Sequence, residues 1–238
     1  MFEVGKDSVT LCSGSSPVYD RYFDSRRFTI SADITSYSDA WQTQSEPAVA
    51  ARARSTEVGA STPSATSTAM LAALIAATGA RAVVEVGTGT GLTGLAIFQG
   101  MSADGVLTTI DADGNHQSEA KAAFAAAEID PGRARLITGV PREVLPRLTD
   151  GGYDAVVVND PSSDPQVYVE QALRLLRAGG IVVVANSLGD GASVTDPGQR
   201  DPHTSALREL GNSIKANDAL VSALLPLDNG LLVAVKQS

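Results

Sequence analysis

Two apolar runs close the sequence, at residues 220–227 and 231–235, and only Asp228-Asn229-Gly230 separates them. Three residues cannot hold a helical crossover, so two strands joined this way must pair antiparallel as a hairpin. Upstream the pattern is different. Five short runs, at residues 82–86, 106–110, 134–137, 155–158 and 181–184, are apolar almost throughout and alternate with helical stretches. Strands that are apolar on both faces need cover on both faces, which parallel strands with helical crossovers provide. The chain is therefore expected to fold as an α/β domain with a mostly parallel seven-stranded sheet that ends in one antiparallel hairpin.

The helical stretches carry their own punctuation. Glu46-Pro47 opens one that runs to about Glu57. Thr62 reads as an N-cap with Pro63 at the first helical position, and Met70, Leu71, Leu74 and Ile75 form an apolar stripe that Gly79 ends. Further helices are expected from about Leu92, over 115–128, over 142–148, from Asp164-Pro165 to Arg177 with a break at Gly179-Gly180, and from Asp201-Pro202 to about Ala216. Residues 46–238 thus form the regular domain. Residues 1–45 form an arm rich in Ser, Thr and rings. It holds seven of the eleven aromatics (Phe2, Tyr19, Tyr22, Phe23, Phe28, Tyr37 and Trp41), so it is not a purely polar linker and its rings need a surface to cover. A loosely attached leader is the plainer alternative.

The formal charge of −9 argues against a nucleic-acid partner, which would require a basic face for the phosphates. The single cysteine, Cys12, allows no internal disulfide and lies in no nucleophile pattern. No apolar run is long enough to span a bilayer, and the first residues lack the pattern of a signal peptide. A cytoplasmic protein with no membrane partner is the resulting expectation.

The first strand leads into Glu85-Val86-Gly87-Thr88-Gly89-Thr90-Gly91. Glycines after a buried strand let a ligand approach the backbone, and the following helix offers free N–H groups. Asp111 ends the next strand, where an acid can accept hydrogen bonds from both hydroxyls of a ribose; a turn or helix cap is its plain alternative. Glu85 decides between cofactors. A carboxylate inside an apolar strand needs a partner, either a cationic ligand or backbone amides. It would repel the pyrophosphate of a dinucleotide, whereas a sulfonium and an ammonium would complement it. On charge grounds S-adenosylmethionine is the expected cofactor rather than NAD.

The stretch from Glu85 to Gly94, the strand ending in Asp111, and the segments Tyr153 to Asn159 and Ala172 to Val184 together resemble the catechol and caffeoyl-CoA type O-methyltransferases, family 3. The likeness runs from about Glu46 to the C-terminus; residues before Ser38 match nothing in that family. It implies a Rossmann-like class I methyltransferase fold, a homodimer and a small-molecule acceptor with a hydroxyl group. By the same resemblance Glu85, Gly87, Thr88, Gly89 and Thr93 would hold the methionine part of the cofactor and Asp111 the ribose. Ser61 would contact the cofactor from the preceding helix cap, and Val140 would lie near the adenine.

The sequence departs from the family at its metal ligands. Where the family carries Asp-Ala-Asp-Lys after strand four, this chain has Asn159-Asp160-Pro161-Ser162; where it carries Asp-Asn after strand five, this chain has Ala185-Asn186. Two amides and a methyl group make a poor set for a hard cation, and Asp160 or Asp190 would enter it only through a shifted register. No metal site is therefore expected, the reaction being metal-independent or only weakly metal-dependent, and Ser162 stands where the family often carries a lysine. Without a metal, either a side-chain base takes the acceptor's proton or the acceptor is itself acidic, such as a phenol. Asn159, Asn186 and His203 are the candidates for the chemistry, with Asn159 also facing the cofactor. For His203 a solvated helix position is the plain alternative, and for Asn186 a strand-end residue satisfied by loop backbone. His116 is expected on the helix beside the adenine. The rival reading is a cofactor-binding protein that has lost catalysis and acts through partners.

Overall fold

The computed structural model describes residues 32–159 and 165–237. Cys12, five of the arm's aromatics, Asp160, Ser162 and the helix start at Asp164 lie outside the described residues. The chain divides into two units, Met1–Trp41 and Gln42–Ser238. The described part of the first is one helix, α1 (Ala32–Trp41).

The second unit runs α2 (Glu46–Val58), α3 (Ala65–Ala77), β1 (Ala82–Val86), α4 (Leu92–Gly100), β2 (Val106–Asp111), α5 (Gly114–Ala126), β3 (Ala134–Thr138), α6 (Pro141–Val144), β4 (Tyr153–Val158), α7 (Pro165–Leu175), β5 (Leu176–Val184), α8 (Pro202–Lys215), β6 (Leu220–Leu225) and β7 (Leu231–Lys236). The strands form one seven-stranded sheet in the order β3-β2-β1-β4-β5-β7-β6. Strands β1 to β5 pair in parallel, and β7 pairs antiparallel with both β5 and β6. This is the expected sheet with its C-terminal hairpin.

Cores on both faces of the sheet explain why the central strands are apolar at most positions. Val83, Val157 and Val183 pack with Leu71 and Ile75 of α3 and Leu92 and Ile97 of α4. Val84, Val156 and Val182 pack on the opposite face with Val169 of α7 and Leu210 of α8. Period two therefore puts Glu85 on the Val83 face, over the start of α4. Among the described residues no helix is long and apolar enough to cross a membrane.

Two local readings are corrected. Ser64, not Thr62, caps α3: its hydroxyl accepts from Ser67 N at 3.1 Å, while the Thr62 hydroxyl donates to Ala60 O. Pro63 consequently precedes the cap rather than following it. Second, α7 stops at Leu175 and β5 begins at Leu176, so Gly179-Gly180 interrupt a strand and not a helix. The register with β4 slips between Tyr153 and Ala155, since the pairing jumps from Leu176 to Ile181.

Candidate functional site

A cavity of about 830 Å³ opens at the C-terminal ends of β1, β2, β4 and β5. This is where open α/β sheets bind ligands, and the volume suits a nucleoside-sized molecule with an acceptor. The β1–α4 loop forms one wall. Gly87 and Gly89 line the cavity in left-handed conformation, at φ of 85° and 52°. Gly91 serves another purpose. It is the N-cap of α4 at φ of 84°, and a Cβ there would lie 2.9 Å from the Cα of Ala120 on α5. The third glycine is thus required by the contact between α4 and α5.

Asp111 ends β2 and lines the cavity. Its Oδ2 accepts from Gly89 N at 3.0 Å and its Oδ1 from Asp113 N at 2.9 Å. His116 Nδ1 sits 3.2 Å from the same Oδ2, so this histidine lines the cavity next to the expected ribose acid. An ionised carboxylate has roughly four acceptor sites, which leaves capacity for ligand hydroxyls.

Glu85 is completely buried and does not itself line the cavity. Thr93 donates to its Oε1 at 2.5 Å, Thr109 to its Oε2 at 2.6 Å, and Asn159 Nδ2 to its Oε1 at 3.0 Å. Burial pushes the Glu85 carboxyl up to about 7, against the pull of these donors; the nearby Asp111 charge adds to the rise. The partners differ from those expected: the donors are side-chain hydroxyls and an amide, not loop backbone. Because the Thr109 proton goes to Glu85, Thr109 accepts from the Thr88 hydroxyl at 2.6 Å. Thr88 in turn accepts from Gln117 Nε2 at 3.0 Å. The whole chain of donors is directed at one carboxylate.

Asn159 and Thr93 stand between Glu85 and the cavity, and both line it. Asn159 Nδ2 also reaches Gly87 O at 2.9 Å and Thr93 Oγ1 at 2.8 Å. With its N–H groups turned to these acceptors, the Asn159 carbonyl is the group left for a ligand. Ala185, Asn186 and Asp190 line the β5 end, with Asn186 at φ of 52°, a conformation asparagine tolerates. Ser61, Thr88 and Val140 line the cavity as well. His203, in the first turn of α8, does not; its Nδ1 is buried without a hydrogen-bond partner. Around this cavity the structure therefore gathers every predicted site residue except Glu85, which lies behind the wall, and His203.

Several residues escaped the sequence reading. Thr109 and Gln117 hold the network through lateral contacts between strands and helix, which no local pattern signals. The hairpin turn was legible as a turn, yet Leu227, Asp228, Asn229 and Gly230 also wall the cavity. Asp228 is pinned there, since its Oδ2 accepts from Ser64 N at 3.0 Å.

A sequence profile described as O-methyltransferase matches residues 48–237. A protein of Mycolicibacterium vanbaalenii that bears an O-methyltransferase name is 45% identical over 187 residues, which cover 79% of this chain and 82% of that one. The crystal structure of a Corynebacterium glutamicum protein matches with a TM-score of 0.81 at 30% identity, covering 87% of this chain and 96% of the other. The O-methyltransferase TomG of Streptomyces achromogenes, crystallised in complex with SAM, matches in fold with a TM-score of 0.77 at 23% identity, over 86% and 95% of the two chains. From the profile and the relatives together, the chain belongs to the O-methyltransferase family.

Proposed function

We propose that the protein transfers a methyl group from S-adenosylmethionine to the hydroxyl of a small phenolic acceptor without a divalent cation at the reacting centre. The observation that carries the reading is the surroundings of Glu85. A buried carboxylate is held by Thr93, Thr109 and Asn159, its described hydrogen-bond partners include no cation, and two of those donors face the cavity. A ligand bearing positive charge beside Asn159 and Thr93 complements that arrangement, and a pyrophosphate does not.

The residues present fit this cofactor. Asp111 accepts from the ribose hydroxyls, Ser61 and Val140 bound the nucleoside half, and Gly87 and Gly89 permit close backbone approach. Thr93 and the Asn159 carbonyl face the amino-acid part, with Glu85 as the positioning residue behind them. S-adenosylmethionine supplies a methyl group already activated on a sulfonium. The chain's task is to align the acceptor oxygen with it and to exclude water.

The same residues do not fit a hard cation. Ala185 has no donor atom, and the Asn159 amide is directed at Glu85, Gly87 and Thr93. Among the described residues no three His, Cys, Asp or Glu side chains cluster for a metal. The Asn159 and Asn186 amides orient an oxygen but take no proton from it, which favours an acceptor that ionises readily. A phenol, with a pKa of about 10, does so more easily than an aliphatic alcohol.

The test has two parts. Calorimetry should detect S-adenosylmethionine binding, and Asp111→Asn should weaken it by about 1–3 kcal/mol through loss of charge-assisted hydrogen bonds. A panel of phenols should then yield S-adenosylhomocysteine. Affinity unchanged by Asp111→Asn would remove the ribose role, and cofactor binding without turnover of any phenol would refute the acceptor class.

A further inference from the structure

The loop between α2 and α3, residues 59–63, lines the cavity opposite the β1–α4 loop: a Cβ on Gly89 would lie 3.9 Å from the Cβ of Ala60. Its α2 end is fastened to the β1–α4 loop. Thr90 donates to Ala51 O at 2.9 Å and accepts from the buried Ser55 hydroxyl at 2.5 Å. Its α3 end is fastened through a single peptide group, Pro63–Ser64, which is gripped on both sides by charged side chains. The carbonyl accepts from the Arg52 guanidinium on α2, and the N–H donates to Asp228 Oδ2 at 3.0 Å in the β6–β7 turn. A peptide group bonded at both ends to opposite charges is polarised along its own dipole, which strengthens the two bonds together.

Local structure would supply the second bond differently. A glutamate or glutamine three residues into a helix commonly satisfies the N-cap amide from within. Here that position is Ser67, whose hydroxyl accepts from the Ser64 hydroxyl at 3.2 Å, and the Ser64 N–H goes instead to a residue 164 positions away. The turn that carries Asp228 is a firm anchor. Leu188 N donates to Asn229 O at 2.8 Å and Ser187 N to Gly230 O at 3.1 Å, and a Cβ on Gly230 would lie 2.6 Å from Leu188 Cγ. The turn is thus bolted to the end of β5. Arg52 is aligned in turn by Gln44, whose Oε1 accepts from its Nε at 2.9 Å.

We propose that Arg52 and Asp228 are positioning residues for the cofactor: by clamping the Pro63–Ser64 peptide they hold Ala60 and Ser61 at the spacing from the β1–α4 loop that the cofactor needs. The inference rests on the proposed contact of Ser61 with S-adenosylmethionine and assigns what keeps that contact in place. A short loop fixed at both ends loses little further freedom when a ligand arrives, whereas a loop released at one end must be ordered as part of binding. The clamp therefore acts on cofactor affinity, chiefly through the rate of release.

The experiment measures S-adenosylhomocysteine binding to the full chain by calorimetry, its release by surface plasmon resonance, and backbone hydrogen exchange by mass spectrometry. Asp228 is exposed and sits at φ of 49°, a conformation that glycine and asparagine both tolerate. Asp228→Gly removes the acceptor and should weaken binding about 5- to 10-fold, mostly through faster release. Asp228→Asn keeps an oxygen for Ser64 N and should bring affinity back to within about 2-fold of the unaltered protein. Arg52→Gln should weaken binding by a factor similar to that of Asp228→Gly, and the double variant should lose little more than either alone, because both side chains act on one peptide group. A role confined to folding would lower the thermal melt without moving the release rate; should Arg52→Gln fail to fold, the contrast between Asp228→Gly and Asp228→Asn decides. Affinity within about 2-fold of the unaltered protein in Asp228→Gly, no recovery in Asp228→Asn, or losses that multiply in the double variant would overturn the clamp. In the unaltered protein bound S-adenosylhomocysteine should slow exchange over residues 59–64. Binding that leaves this loop unprotected would instead remove Ser61 from the cofactor site, and the clamp with it.

Discussion

Replacing Glu85 by glutamine should flatten the pH dependence of stability. The carboxyl is fully buried, and burial raises it from an ordinary 4.5 to about 7. Because the folded value lies above the unfolded one, the native state holds this proton more tightly. Its contribution to stability is complete below about pH 4.5 and is lost as pH rises through 7. The gap corresponds to roughly 3 kcal/mol, of which about 2–3 kcal/mol falls between pH 5 and 8. Glutamine has the same shape and does not titrate. It does disturb the donors from Thr93, Thr109 and Asn159, but that cost is the same at every pH. Urea unfolding of both cofactor-free proteins at pH 5 and pH 8 isolates the effect, since the other carboxylates cancel in the comparison. The unaltered protein should lose about 2–3 kcal/mol more than Glu85→Gln over this range. A difference under about 1 kcal/mol would mean that the network already compensates the buried charge, and would refute the reasoning.

Three other outcomes are expected. Gly100→Ala should destabilise the fold by about 1–3 kcal/mol in urea, because its Cβ would collide with the Ala72 carbonyl where α3 and α4 cross; an unchanged midpoint would contradict that contact. Activity found in the phenol screen should survive exhaustive EDTA dialysis, and activity that returns only with Mg²⁺ would overturn the metal-free reading. The full chain should sediment as a homodimer at micromolar concentration, and a monomer there would refute the dimer implied by the family.

The fold was legible where burial imposes a simple pattern. Val83-Val84 and residues 155–158 face cores on both sides of the sheet, so their uniform apolarity could be read without knowing their neighbours. The hairpin was legible because three intervening residues leave no other pairing. Helix ends were less so: Thr62 and Ser64 are both capping residues, and only the hydrogen bond to Ser67 chooses between them. In the cavity wall, the positions of Asp111 and the first two glycines were legible from strand, loop and helix order. The role of Thr109 was not. It follows from its register beside Glu85, a lateral pairing between strands more than twenty residues apart. His203 was a candidate from its place on the helix that follows strand five, but the first turn of α8 leaves it outside the cavity wall.

The third glycine of the loop has a consequence for how damage at this site would be read. Gly91 touches α5 and not the cavity, yet α5 also carries His116 and Gln117, which contact Asp111 and Thr88. A methyl group at Gly91 would act like a wedge at the fulcrum of that helix. The displacement would reach Asp111 and the donors feeding Glu85 together, although no cavity-facing atom had changed. Loss of cofactor affinity in such a variant would be inherited from helix spacing, and its signature would be a coupled drop in thermal stability that Asp111→Asn does not share.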